Sequence, residues 1–200
     1  MLFVKGVAAF YPPKVNELFA DARHAGKAAG ANAVGTAASF DCGSLVRVSL
    51  RIDAETKVIM NAGFQTTGCG YMIASAEAVC RLVEGKRLTD LHGEVKDELA
   101  DDILQRLGDI PTARELCLSS CLDALAGAFA DFRSYLIEEF TGEKALVCTC
   151  FGVSEETIEQ QVAQHRLTTV EQVGQATNAG RGCGSCQMLI REILDSLNRS

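Results

Sequence analysis

Hydrophobic positions along the chain fall into distinct registers. Val15, Leu18, Phe19 and Ala22 share one face over residues 13–22, the spacing of a short amphipathic helix. The Gly- and Ala-rich run 25–39 has no strong period and is expected to wander over the surface. Val46, Val48, Leu50 and Ile52 then alternate with Arg47, Ser49 and Arg51, which predicts a half-buried strand over 45–52. Asp53-Ala54-Glu55-Thr56 makes a turn into the β-prone stretch 58–67, so an antiparallel pair or a three-stranded meander is expected. After Gly68-Cys69-Gly70 the period lengthens: Ile73, Ala76, Val79, Cys80 and Val83 predict a helix over 73–83, with Gly85 as its stop. Shorter helices are expected around 88–91 and 99–107. Asp109-Ile110-Pro111 interrupts them, and a long apolar helix follows over about 117–140.

Thr141-Gly142-Glu143-Lys144 reads as a linker between domains at 1–142 and 145–200. Beyond it, Ser154 caps a helix with Glu155 and Glu156 in its first turn. Thr168-Thr169-Val170-Glu171 is a capping sequence for a second helix, Ala179-Gly180 stops it, and a third runs over 186–194. No strand is needed in this part.

Composition narrows the function classes. Apolar residues make up 48% of the chain and the mean hydropathy is +0.11, enough for real cores. The net charge of −7 argues against nucleic acid and against an anionic membrane surface, both of which are met by basic patches. Residues 1–10 are apolar but broken by Lys5, too short to cross a bilayer, and no signal peptide is visible; a cytoplasmic location is the default. No Ser/His/Asp set, carboxylate pair or phosphate loop is present, so an enzyme is not expected.

The chemistry lies in nine cysteines. Cys148-Thr149-Cys150 and Cys183-Gly184-Ser185-Cys186, with 151–182 between them, can close one tetrathiolate site. Four thiolates suit tetrahedral zinc or an iron–sulfur cluster, and spacing alone leaves the two level. The cysteines fall at predicted helix N-termini, whose free N–H groups and dipole favour thiolates, and Gly180, Gly182 and Gly184 let the backbone approach a metal. Without an export signal, a disulfide framework is not expected.

Cys-Thr-Cys-Phe-Gly-Val at 148–153, Leu167-Thr168-Thr169-Val170, and the run 177–186 ending in Gly182-Cys183-Gly184-Ser185-Cys186 resemble the helical 2Fe-2S module of bacterioferritin-associated ferredoxins. The resemblance implies a permanent 2Fe-2S cluster on Cys148, Cys150, Cys183 and Cys186. Asp41-Cys42-Gly43-Ser44, the run 62–70 around Cys69, Ile73-Ala74-Ser75-Ala76, and Cys117 ahead of Asp123-Ala124 resemble the IscU-type scaffold. That likeness implies a transient iron–sulfur cluster on Cys42, Cys69 and Cys117, handed on to apo-proteins. The two modules in this order resemble the NifU-type scaffolds, without the third domain usual there. The implied fold is α+β: an IscU-like antiparallel three-stranded sheet with helices, then a small all-α 2Fe-2S domain.

The chain departs from the family at three places. Ser44 stands where the family has a ligating Asp. Pro111-Thr112-Ala113-Arg114-Glu115-Leu116 replaces a Pro-Pro-Val-Lys-type motif and a His, and Asp21-Ala22 replaces Asn-Pro. Asp41, Ser44, Cys121, a partner chain or solvent are left as sources of a fourth ligand. The resemblance implies iron–sulfur assembly and transfer, with a nitrogen-fixation role, a cysteine desulfurase and apo iron–sulfur proteins as partners, and a homodimer. The alternative is a 2Fe-2S electron-transfer or regulatory ferredoxin with a degenerate N-terminal dimerisation domain. A zinc protein is the third reading. Cys80 and Cys121 read as packing residues, His24, His92 and His165 as surface groups, and Arg47 and Arg51 as solvated charges.

Overall fold

The computed structural model describes residues 11–39, 41–91, 95–138, 140–142 and 144–197, less the side chains of 95–97 and 138. The apolar segment 1–10 and His92 therefore lie outside the described residues. Helix α1 (Pro13–Ala20) precedes strands β1 (Ala33–Ser39), β2 (Ser44–Ile52) and β3 (Ile59–Thr66). Helix α2 (Gly70–Val83), a 3-10 turn at Leu88–Asp90, α3 (Val95–Leu107) and the long α4 (Thr112–Glu138) follow. The C-terminal part holds β4 (Leu146–Cys148), β5 (Val153–Ser154), α5 (Glu155–His165), α6 (Val170–Thr177) and α7 (Gln187–Leu197). Among the described residues no helix is long and apolar enough to cross a membrane.

The expected meander is present, with β2 central and antiparallel to both neighbours. Val46, Val48 and Leu50 are fully buried beneath α4 and α2, while Arg47 and Arg51 face outward. Those arginines bond back to their own surroundings, Arg47 to the Thr36 hydroxyl and Arg51 to the Gly30 carbonyl.

The run 25–39 does not wander. Its second half is β1, paired along its length with β2. Its first half lies along β3, where Gly26 N–H donates to the Phe64 carbonyl at 2.7 Å and Phe64 N–H to that of His24 at 2.9 Å. Small residues erase the hydrophobic period and at the same time allow close packing: a Cβ at Gly35 would stand 2.0 Å from the Ala124 carbonyl oxygen of α4.

The surface expectation also fails for His24, whose side chain is only 16% exposed. Its Nδ1 lies 3.0 Å from Glu77 Oε1 and its Nε2 3.4 Å from Glu84 Oε2, and its backbone N–H donates to Glu77 Oε2. Glu77 is fully buried on α2 and also takes Arg81 Nε at 2.6 Å, while Arg81 reaches Asp21 at 3.1 Å. Buried charge of this kind requires partners, and here it joins the loop after α1 to α2. His165 is exposed, as expected.

Helix α2 starts earlier than its apolar period because Cys69 caps it in extended conformation and Ile73 N–H closes the first turn onto the Cys69 carbonyl. Helix α4 likewise starts directly after Pro111. In the C-terminal part the three helices are as expected, with the Ser154 cap and a Thr169–Gln172 capping box. The expectation of no strand is corrected by the short β4–β5 ribbon, which pairs Cys148 with Val153. Two or three residues per strand are too few to show alternation. The ribbon folds the Cys-Thr-Cys loop back on itself, with Gly152 at φ +65°. Buried apolar residues of both parts form one continuous cluster.

Candidate metal centres

Three elements bring Cys42, Cys69 and Cys117 together. Cys42 sits in the β1–β2 hairpin, which the cross-strand pair Ser39–Ser44 closes and Gly43 turns at φ +64°. Its Sγ lies 2.8 Å from Ser44 Oγ. The Ser39 hydroxyl, then the Ser44 hydroxyl and N–H, hold the exposed Cys42 thiol below its ordinary pKa, with help from the positive charge of Arg114. Cys69 is exposed at the N-terminus of α2, where the helix dipole favours negative charge. The next N–H, of Gly70, donates to Tyr11 Oη at 3.2 Å.

Cys117 rises from the second turn of α4 and is buried. Burial first, then the neighbouring Cys69 and Cys42, push its thiol up to about 11, with Arg114 opposing. The Arg114 guanidinium rides 5.6 Å above the Tyr71 ring. The thiols of one group are thus shifted in opposite directions, Cys42 down and Cys117 up.

The structure sorts the candidates for a fourth ligand. Cys121 points into the core, 3.6 Å from Met72 Sδ, and complete burial raises its pKa well above the thiol norm. Cys80 is a core residue too, with burial driving its pKa up. Asp41 is exposed on the hairpin. Ser44 is the oxygen already against Cys42. The hydroxyl of Ser39 escaped sequence reasoning, because its role depends on the hairpin register that pairs it with Ser44. Arg114 was counted with the lost family motif, yet it stands in the fourth place of Pro111-Thr112-Ala113-Arg114 and keeps a cation beside the thiols.

The second centre gathers Cys148 at the end of β4, Cys150 in the turn, and Cys183 and Cys186 ahead of α7. Cys150 Sγ lies 3.4 Å from Cys183 Sγ. A hydrogen bond from Cys150 lowers the Cys148 pKa; burial and Cys186 oppose it, and the N–H groups of Gly180 and Phe151 support it. The same contact and burial push Cys150 up. A Cβ on Gly182 would lie 3.1 Å from Cys150 Sγ and 3.0 Å from the Phe151 ring. Gln187 Nε2 clamps the glycine loop by donating to the Gly180 carbonyl at 2.9 Å. Cys148, Cys150 and Cys186 are buried while Cys183 is exposed.

Among the described residues no group of three or more His, Cys, Asp or Glu side chains is placed to hold a metal ion as it stands, and the cysteines of both sets are free thiols. The all-sulfur donor set, the backbone N–H groups aimed at Cys148 and the tight approach of Gly182 fit a 2Fe-2S group at the second centre.

A hairpin, a helix N-terminus and a long helix presenting three cysteines, followed by a four-cysteine helical module, define a protein built for thiolate metal chemistry. The chain belongs to the family of the NifU-like N terminal domain, whose model matches residues 10–138. Residues 146–196 match the BFD-like [2Fe-2S] binding domain. The nitrogen fixation protein NifU of Azotobacter chroococcum mcd 1 is 35% identical over 184 residues, 92% of this chain and 58% of that protein. The mitochondrial iron sulfur cluster assembly protein 1 of Eremothecium gossypii is 32% identical over 130 residues, 62% of this chain and 79% of that protein. The chain spans 58% to 65% of the length of the first curated relatives it matches. The crystal structure of a nitrogen-fixing NifU-like protein (N-terminal) from Brucella abortus aligns with 62% of this chain and 94% of that one, at 21% identity and a TM-score of 0.49.

Proposed function

We propose that this chain is an iron–sulfur assembly scaffold with two sites of different permanence. A cluster is built as cargo on Cys42, Cys69 and Cys117 within residues 1–142. A 2Fe-2S group resides on Cys148, Cys150, Cys183 and Cys186 within 145–200. The carrying observation is the meeting of Cys42, Cys69 and Cys117 from three separate elements, with the Cys42 thiol beside two hydroxyls and near a guanidinium that lower its pKa. Relatives named nitrogen fixation protein NifU support a place in nitrogen fixation.

Sulfur arrives as a persulfide on a cysteine desulfurase. The Cys42 thiolate attacks its outer sulfur, the desulfurase thiolate leaves, and a new S–S bond forms on Cys42. Two electrons from an external low-potential electron donor then cleave each Cys42 S–S bond, releasing the sulfane sulfur as sulfide and restoring the Cys42 thiolate. A resident 2Fe-2S group supplies one-electron redox chemistry for such steps. Cys69 and Cys117 hold iron beside Cys42, and Ser44 holds its thiolate by hydrogen bond in place of a carboxylate ligand. The chain acts as a homodimer in the cytoplasm, is not itself an enzyme, and passes its cargo to apo iron–sulfur proteins.

Anaerobic transfer to an apo-ferredoxin, followed by visible circular dichroism, tests this. The wild type transfers a cluster, and Cys117→Ser does not while keeping its C-terminal absorbance. Failure of the wild type to transfer would overturn the reading and favour the ferredoxin alternative, which Ser44 in the ligand position otherwise supports.

A further inference from the structure

Lys57 belongs to the β2–β3 turn, far in sequence from the four-cysteine module, yet it is only 8% exposed. Its backbone is left-handed, φ +57°, a conformation that costs a long side chain more than glycine. It is pinned there: Lys57 N–H donates to the Asp53 carbonyl at 3.0 Å, and Leu88 N–H to that of Lys57 at 2.9 Å. A turn lysine ordinarily extends into water. This one runs inward, donates to the Ala54 carbonyl, and sets its ammonium 5.7 Å from the centre of the Phe132 ring of α4.

The same ammonium meets the four-cysteine module. Lys57 Nζ stands 3.9 Å from where a Cβ on Gly152 would be, and Leu136 of α4 borders that point at 3.7 Å. Gly152 follows Phe151, whose N–H supports the Cys148 thiolate. Burial disfavours the charged form of Lys57, and Asp53 and Cys148 favour it. Gly152, at φ +65°, leaves the approach clear. None of these residues touches the Cys42 group in the contacts described above, so the feature is separate from the scaffold site.

We propose that Lys57 of the scaffold domain is a positioning residue for the four-cysteine site. It holds a buried cation against the Cys148 loop, raises the reduction potential there, and ties the two domains together most firmly when that site is reduced. The inference rests on the reading that this site carries a 2Fe-2S group. Each reduction adds one electron and one unit of negative charge, which a nearby cation in a poorly screened junction stabilises. A surface lysine would lose this effect in salt, whereas a buried one keeps it.

The test is a dithionite titration of the full-length, cluster-bearing protein with mediator dyes, read by electron paramagnetic resonance, in wild type, Lys57→Met and Lys57→Arg. Lys57→Met is expected to lower the reduced-to-oxidised ratio about tenfold at the wild-type midpoint, a shift of about 59 mV for one electron. Lys57→Arg stays near wild type, and the difference persists in high salt. Lys57→Gln gives the same shift if the Met variant does not fold. An intact 2Fe-2S spectrum with an unshifted midpoint in the Met or Gln variant overturns this role for Lys57 alone. A wild type without a 2Fe-2S spectrum overturns the underlying reading and the proposal with it.

Discussion

Gly35 of β1 and Gly127 of α4 meet backbone to backbone: a Cβ on Gly127 would stand 3.3 Å from the Gly35 Cα, and one on Gly35 would fall 2.0 Å from the Ala124 carbonyl oxygen. The long helix is thereby laid directly on the edge strand. Because α4 carries Cys117 and the β1–β2 hairpin carries Cys42, this contact also bears on the spacing of the cysteines in the proposed scaffold site. Gly35→Ala is expected to force the helix away and cost about 2–4 kcal/mol in urea unfolding. It should also reduce iron uptake at the Cys42 group while sparing the C-terminal site. Gly127→Ala should stay within about 1 kcal/mol of wild type, since better helix propensity offsets the tighter contact.

The Glu77 network governs acid stability. Burial alone would raise the Glu77 pKa, but hydrogen bonds from Arg81 and from the His24 backbone and ring hold it below the ordinary carboxylate value. A depressed carboxylate stabilises the fold above its unfolded pKa, near 4.5, and that contribution is lost as pH falls through the folded value. Urea unfolding of the cluster-free protein should therefore show Glu77→Gln less stable than wild type by about 2–3 kcal/mol at neutral pH, with the gap closing on acidification below about pH 4.5. A gap independent of pH would contradict this.

Ser44 tunes Cys42 through a hydrogen bond rather than a charge. Ser44→Ala removes a donor to the thiolate, and Ser44→Asp places a carboxylate there. Both should raise the Cys42 pKa and slow its alkylation by iodoacetamide at neutral pH a few fold, Asp more than Ala, as read by mass spectrometry. Ser44→Asp should also alter the rate of cluster transfer to an apo-ferredoxin. Equal rates would show that the oxygen at this position takes no part in release.

Gly182 lies so close to Cys150 and Phe151 that a methyl group there would press both aside by a few tenths of an ångström. Gly182→Ala should displace the Cys150 thiol and cost most of the visible absorbance of the C-terminal site, with far-ultraviolet circular dichroism largely unchanged.

Much of this was legible in the sequence where side chains carry a strong period. The alternation around Val46, Val48 and Leu50 located β2, and the capping residues Ser154 and Thr169 located α5 and α6. Strand β1 was missed because Ala33, Gly35 and Ala37 carry almost no hydrophobic signal; their smallness serves helix packing instead. His24 was missed because its partners, Glu77 and Glu84, lie on a helix far along the chain. The grouping of seven cysteines into two sets follows from their spacing and their likeness to known modules. Ser39 and Lys57 are not legible there, since the hairpin register gives Ser39 its neighbours and the packing of the turn at 53–58 against Phe132 and Gly152 gives Lys57 its own.

The most direct measurement of the two-site account is the iron and sulfide content, with the visible spectrum, of anaerobically reconstituted wild type beside Cys42→Ser. About four irons per chain in wild type and about two in Cys42→Ser, with a 2Fe-2S spectrum surviving in the variant, is the expected result. About two irons in both proteins, or a colourless zinc-bearing product, would contradict it.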